Sequence, residues 1–318
     1  RSHCSVVVEV STSTMITWFQ LVVEICLGFW EHMVQLVYPP LAKSLVGEVV
    51  LITGAGHGIG RELALQCARL GAKVVCWDIN AQTAQETAQR VNEEWAVNAT
   101  HVDTPIRAWS FQCDVSKREE VNKVADETRL KVGEITVLIN NAGIMPAKPM
   151  LKFEPHEIER LFDVNVFSQY WTIMQFMPGM IKRDHGHVVS MCSVAGITGT
   201  PYLVPYCSSK FAIKGLMDGL FLEMRQDMKE SRVRLTTVHP FTINTGLAVD
   251  PMTRFPKLIP IHEASECAQQ VIDGFRRNYE EVFVPKILGP VFRLGKCLPR
   301  RVQTALADFL NCGVGYNK

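Results

Sequence analysis

The ten cysteines never fall into a C-x-x-C pair, and no Cys/His cluster has the spacing of a metal site. Zinc and iron–sulfur chemistry are therefore not expected. The scattered thiols read as reduced and mostly buried, which places the folded domain in a reducing compartment. A charge excess is also lacking. The formal net charge is +1, which argues against general nucleic-acid binding through bulk electrostatics. There is no internal repeat and no low-complexity tract. The chain starts at Arg1 and its first methionine is Met15, so residues 1–14 read as a leader or a fragment and stay outside fold reasoning. What is present is 318 residues, 47% hydrophobic and 20% charged, enough for a sizeable core in one large domain or two small ones.

Met15–Val37 is an apolar segment closed by Tyr38-Pro39-Pro40. It is about the length needed to cross a bilayer. Glu24, Glu31 and His32 spoil a fully lipid-embedded span, since a mid-membrane carboxylate costs roughly 2.5 kcal/mol or more. Trp18 and Trp30 suit headgroup depth. No basic n-region follows Met15 and no small-residue cleavage site is convincing, so a secretory signal is disfavoured. Residues 15–40 are read as a membrane-anchoring segment, with a span and an in-plane helix both open. Lys43 just beyond it favours a cytosolic C-terminal domain.

From residue 41 to 285 apolar β-branched runs alternate with helical patterns. Strands are expected at Glu48–Thr53, Lys73–Asp78, Trp109–Asp114, Thr136–Ile139, His187–Met191, Arg232–His239 and Val282–Val284. Helices are expected over Gly58–Leu70, Ala81–Val97, Lys117–Lys131 with Ser116 as N-cap, Glu154–Lys182 with an irregularity at Pro178-Gly179, Pro205–Lys229 and His262–Arg277. This alternation predicts an α/β fold with a doubly wound parallel sheet of Rossmann type. Residues 286–318 form a basic, apolar extension, either a covering helix or a surface that rests on anionic lipid.

Thr53-Gly54-Ala55-Gly56-His57-Gly58-Ile59-Gly60 follows the first strand and opens the first helix of this domain. Glycines there let the backbone turn sharply and approach a pyrophosphate, whose charge the helix N-terminus favours. Asp78 ends the second strand, 18 residues after Gly60. A carboxylate there accepts from both ribose hydroxyls and repels a 2′-phosphate, which favours NAD over NADP. No arginine or lysine stands directly beside it in sequence. Asp114 serves adenine or caps a helix. Asn140-Asn141-Ala142-Gly143 suits a turn that lines a cofactor groove. Tyr206 and Lys210 lie one helical turn apart on one face, and Ser193 follows the fifth strand.

These residues, with Asn165, occur in an order and spacing that resemble the short-chain dehydrogenase/reductase family. The resemblance covers about residues 45–285. More narrowly the chain is similar to the membrane-associated subgroup of epidermal retinol and 17-beta-hydroxysteroid dehydrogenases, through Leu51–Gly60, Cys113–Val121 and His239–Gly246. The resemblance implies that Tyr206 is the general acid/base, that Lys210 and the positive nicotinamide together lower its pKa, that Lys210 holds the nicotinamide ribose, that Ser193 orients the substrate oxygen, and that Asn165 holds a relay water. It implies NAD contacts from Gly54, His57, Gly58, Ile59, Gly60, Asp78, Asp114, Val115, Asn141, Ala142, Gly143, Tyr206, Lys210, Pro240 and Thr245. It also implies a lipophilic alcohol or carbonyl substrate, a homodimer, and residence on the endoplasmic reticulum membrane or a lipid droplet with the catalytic domain facing the cytosol. Phe241 stands where glycine often follows the proline. The substrate loop is expected near Thr245–Ile261, and Cys192 and Cys207 are expected as small packing residues. Two rivals are a nucleotide-binding scaffold without turnover and a nucleotide-sugar epimerase or dehydratase. The intact Ser193, Tyr206 and Lys210 count against the first, and the short chain after Pro285 against the second.

Overall fold

A computed structural model describes residues 18–98, 107–228, 231–247, 251–255, 261–311 and 313–315. The chain divides into two units at Leu41–Ala42. The first carries one helix, α1 (Trp18–Val37), whose apolar side chains, among them Trp18 and Trp30, are exposed. No helix among the described residues is long and apolar enough to cross a membrane. α1 runs unbroken through Glu24 and Glu31, which interrupt its apolar sequence. Residues 1–17 lie outside the described residues.

The second unit is built from β1 (Val49–Thr53), α2 (Gly58–Arg69), β2 (Lys73–Asp78), α3 (Ala81–Asn98), β3 (Ala108–Gln112), α4 (Arg118–Val132), β4 (Val137–Asn140), α5 (Pro155–Phe162), α6 (Ser168–Lys182), β5 (His187–Met191), α7 (Val204–Asp227), β6 (Arg234–Pro240), α8 (Ala264–Arg276), β7 (Glu281–Val284), α9 (Leu288–Lys296) and α10 (Arg300–Leu310). The seven strands form one sheet in the order β7-β6-β5-β4-β1-β2-β3, and every pairing is parallel. Leu51 at its centre faces Val75 on one side and Leu138 on the other.

Both faces of the sheet are covered, which is why the strands read as continuous apolar runs. Val50 and Ile52 point toward α2, α3 and α8, where Leu63, Val91 and Phe275 meet them. Val49 and Leu51 point the other way, toward Val124 of α4, Phe176 of α6 and Met217 of α7. Each fully buried Leu or Ile contributes roughly 1.5–3 kcal/mol. Trp77 is fully buried, and its Nε1 donates to Thr128 Oγ1 at 3.1 Å, so its single polar atom is satisfied.

Three local expectations change. β3 ends at Gln112, so Asp114 lies in the loop beyond it. Lys117 rather than Ser116 is the N-cap of α4, and the Ser116 hydroxyl donates to Asp114 Oδ1 at 2.6 Å. The irregularity between α5 and α6 falls at Asp163–Phe167, a π-helical turn, and α6 runs on through Pro178. Pro178 cannot donate to the Met174 carbonyl one turn back, and Met174 is an exposed residue. The tail after Pro285 folds as α9 and α10, and its residues 313–314 pair with residues 251–252.

Candidate active site

The sheet order reverses between β1 and β4, and the loops after these strands open a crevice at their C-terminal ends. Gly54 (φ +65°) makes the turn after β1, and a Cβ there would sit 3.0 Å from the Ala142 Cα after β4. A Cβ on Gly60 would fall 2.0 Å from the Gly54 carbonyl, and one on Gly56 2.2 Å from Thr83 Oγ1, so only glycine fits. His57 is the extended N-cap of α2 and makes no side-chain capping bond. Gly58 lies against Thr245, and Ile59 faces the cavity described below. Asn141 supports this turn. Its Nδ2 donates to the Thr53 and Gly54 carbonyls at 3.0 and 3.1 Å, while its backbone N–H and that of Ala142 donate to Thr53 Oγ1.

Asp78 is buried at the end of β2. Its Oδ2 accepts from the Gly56 N–H at 2.8 Å and its Oδ1 from the Asn80 N–H at 3.0 Å. The cap of α3 is Asn80, whose Oδ1 accepts from the Gln82 and Thr83 amides. That frees Asp78 from capping. Sequence reading missed Arg61, whose guanidinium donates to the Gly56 carbonyl and lies 3.6 Å from Glu86. Its one signal was its place on the first turn of α2. Burial raises the Asp114 carboxyl, but the Ser116 hydroxyl and amide and the Lys117 ammonium outweigh this and hold it below the ordinary range. The Val115 side chain is core, packed with the α4 residues.

The second cluster surrounds Tyr206. Tyr206 and Lys210 both lie on α7 and are buried, with Lys210 Nζ 5.6 Å from the centre of the phenol ring. Lys210 Nζ donates to the Met191 carbonyl at 2.8 Å. Burial pushes the Tyr206 phenol above its ordinary value, and the hydrogen-bonded Ser193 hydroxyl offsets part of that. Burial also lowers Lys210. In the protein by itself burial therefore favours the neutral phenol. The expected lowering belongs to Lys210 together with a positive nicotinamide.

Ser193 Oγ accepts from the Ala195 N–H at 3.1 Å and lies 3.4 Å from the Pro240 carbonyl. Asn165 sits in the π-helical turn, fully buried. Its Oδ1 accepts from the Ile144 N–H at 2.8 Å, and its Nδ2 donates to the Ile144 carbonyl and to Ser209 Oγ. A Cβ on Gly143 would lie 3.3 Å from Asn165 Oδ1 and 3.8 Å from Lys210 Nζ, so these three meet closely. Cys192 and Cys207 are buried beside the tyrosine, with Cys192 Sγ donating to the Lys210 carbonyl at 3.1 Å.

One cavity is lined by Ser193, Tyr206 and Lys210 together with Ile59 of the glycine turn, Asn141, Gly143, Pro240 and Thr245. Phe241 is also in its wall. Gly313 and Val314 line it too, and nothing in the sequence signals this, because their approach depends on the tail folding back. Of the expected substrate loop, residues 248–250 and 256–260, including Leu258 and Ile259, lie outside the described residues. Leu247 lines the cavity, and Phe255 packs at 5.3 Å on Phe309 of α10.

The short chain dehydrogenase family model matches residues 48–253. Human 17-beta-hydroxysteroid dehydrogenase 13 is 36% identical over 92% of this chain and 92% of its own length. Human epidermal retinol dehydrogenase 2 is 38% identical over 88% of this chain and 87% of its own. A short chain dehydrogenase/reductase from Burkholderia phymatum, solved in complex with NAD, superposes with a TM-score of 0.68 at 23% identity, covering 80% of this chain and 94% of that one. A metagenomic short-chain oxidoreductase and a gluconate 5-dehydrogenase from Burkholderia cenocepacia, of the same fold, are complexes with NADP. With its sheet order, its glycine turn and these matches, the chain belongs to the short-chain dehydrogenase/reductase family of oxidoreductases.

Proposed function

We propose that the protein oxidises a lipophilic alcohol, or reduces the corresponding carbonyl, with NAD as the partner in hydride exchange. The observation that carries this is the convergence of Ser193, Tyr206 and Lys210 on one cavity, whose wall also includes Ile59 of the glycine turn and Asn141, which supports that turn. The cradle fits a dinucleotide: Gly54, Gly56 and Gly60 leave no room for a Cβ, and α2 presents its N-terminus there. Bound NAD supplies the hydride acceptor and a positive ring. Gly54, His57, Gly58, Ile59 and Gly60 would hold its pyrophosphate. Asn141, Ala142, Gly143, Pro240 and Thr245 would line its nicotinamide half, and Asp114 and Val115 its adenine.

Asp78 favours NAD over NADP. Its carboxylate keeps lone pairs for the ribose hydroxyls beyond the two amides it accepts. The Arg61 guanidinium, on the first turn of α2, is committed to Gly56, Thr87 and Glu86. Tyr206 takes the alcohol proton at its phenol oxygen, and a positive charge beside it lowers a pKa that burial alone has raised. Ser193 Oγ orients the substrate oxygen. Lys210 holds the ribose. Asn165 fixes the π turn against Ile144, beside the path of a water relay from Lys210.

The relatives named as retinol and hydroxysteroid dehydrogenases support a lipophilic substrate and residence at the endoplasmic reticulum or a lipid droplet. The exposed apolar side chains of α1, and of Ile287, Val291 and Leu294 near Arg293 and Lys296, support membrane contact. Exposed Phe167, Tyr170 and Met174, with Phe211, Phe221 and Leu222 on α7, support a homodimer paired through these helices. The test is NADH formation by full-length, membrane-bound protein across a panel of retinoid, steroid and long-chain alcohols. No NADH with any of them favours a nucleotide-binding scaffold instead.

A further inference from the structure

His239 lies on β6, one residue before Pro240, and is fully buried. It belongs to none of the roles above. Its Nδ1 is 3.2 Å from the main-chain carbonyl of Ser193. Its Nε2 is 3.5 Å from Glu281 Oε1 on β7 and has no closer hydrogen-bond partner among the described residues. A carbonyl only accepts, so Nδ1 must carry a proton. Glu281 also meets Lys214 of α7 at 3.2 Å and pairs with Arg293 of α9, and two cations keep a carboxylate ionised. A neutral ring would set the Nε2 lone pair against that carboxylate. Only the imidazolium turns an N–H toward both the Ser193 carbonyl and the Glu281 carboxylate. Phe283 stacks on the ring at 4.8 Å, with the Arg293 guanidinium 5.5 Å from the Phe283 ring centre.

We propose that His239 is a positioning residue for Ser193: a buried imidazolium that grips the Ser193 carbonyl and is held charged by Glu281, which Lys214 and Arg293 fix in place. The proposal rests on the reading of Ser193 as the group that orients the substrate oxygen. The charged group that meets the ring is Glu281 on β7, which in turn meets Lys214 of α7, itself paired with Asp218, and Arg293 of α9; the Cys192 thiol also lies against the ring. Burial depresses the imidazole, but bonds to Cys192, Glu281 and the Ser193 carbonyl outweigh it and raise it to about 9. The C-terminal helix α9 is thereby linked through two ion pairs to the catalytic serine.

Two measurements on the full chain in detergent decide this. In protein labelled with 15N-histidine, with His239→Asn identifying the signal, both ring nitrogens of His239 should be protonated at pH 7.5. Glu281→Gln should move its midpoint to lower pH. A neutral ring at pH 7.5 in the wild type overturns the proposal. With 1-decanol and NAD as probes, His239→Leu should lower kcat about 10- to 100-fold, the scale of one charge-assisted hydrogen bond, with the Kd for NADH unchanged. His239→Asn keeps an amide donor near the Nδ1 position and should retain most of the turnover. Glu281→Gln should lose activity at a lower alkaline pH than the wild type does, which a purely structural role would not produce. Wild-type kcat in His239→Leu also overturns the proposal. A wild type inactive on the alcohol counts against the proposed function, and the ring nitrogens still decide the inference.

Discussion

Val314 packs in one apolar cluster with Tyr206, Leu161 and Leu203, and it lines the cavity onto which Tyr206 opens. The contact is made because residues 313–314 pair antiparallel with residues 251–252, and Arg254 Nη1 donates to the Phe309 carbonyl at 2.9 Å. The end of the chain is thus a wall of the pocket. Val314→Trp should cut kcat/KM for a bulky alcohol roughly 10- to 200-fold relative to a slim one, the range for a pocket altered by small apolar volumes. The Kd for NADH should not change. Equal losses for both alcohols would remove Val314 from the pocket wall.

Tyr206→Phe removes only the phenol oxygen. Turnover should fall by about 10²–10⁴, the scale of one positioned acid/base, while NADH binding measured by fluorescence stays as in the wild type. Undiminished turnover would falsify the acid/base role.

The pH dependence follows from burial. The Tyr206 phenol is raised and the Lys210 ammonium lowered in the protein by itself. Alcohol oxidation needs the phenolate, so its kcat/KM should climb with pH until His239 gives up its proton at about pH 9. Carbonyl reduction needs the phenol proton and should fall over the same range. Rate profiles in both directions between about pH 6 and 10 check this. A flat oxidation profile counts against Tyr206 as the base.

Asp78→Ala removes the carboxylate that receives the Gly56 N–H. NAD should lose about 10- to 100-fold in kcat/KM, the value of hydrogen bonds to a charged acceptor, and NADP should lose less. A wild-type preference for NADP would overturn the Asp78 argument.

Leu51 lies in the centre of the sheet with no exposed surface. Leu51→Ala should destabilise the fold by about 2–5 kcal/mol, seen as a lower denaturant midpoint. An unchanged midpoint would mean that the site collapses around the smaller side chain.

Much of this was legible before any coordinates because it is local. The strand–glycine turn–helix at Thr53–Gly60, the apolar strands and the one-turn spacing of Tyr206 and Lys210 are each set within a few residues. The π turn at Asp163–Phe167 was not. A helix expected from Glu154 to Lys182 hides it, since the turn arises where Asn165 is drawn to Ile144, a contact across 21 residues. Ser116 differs: a bond to Asp114 only two residues away displaces it as a cap, a local competition that cap preference by itself does not reveal. Local periodicity and motif order therefore determined the family, the sheet and the residues of the two clusters. Only tertiary packing decided that Asn141 supports the glycine turn rather than facing outward, that His239 meets Glu281 behind Ser193, and that Val314 closes the pocket beside Tyr206. Those contacts join segments far apart in sequence, and their energy comes from burial that no short window of residues encodes.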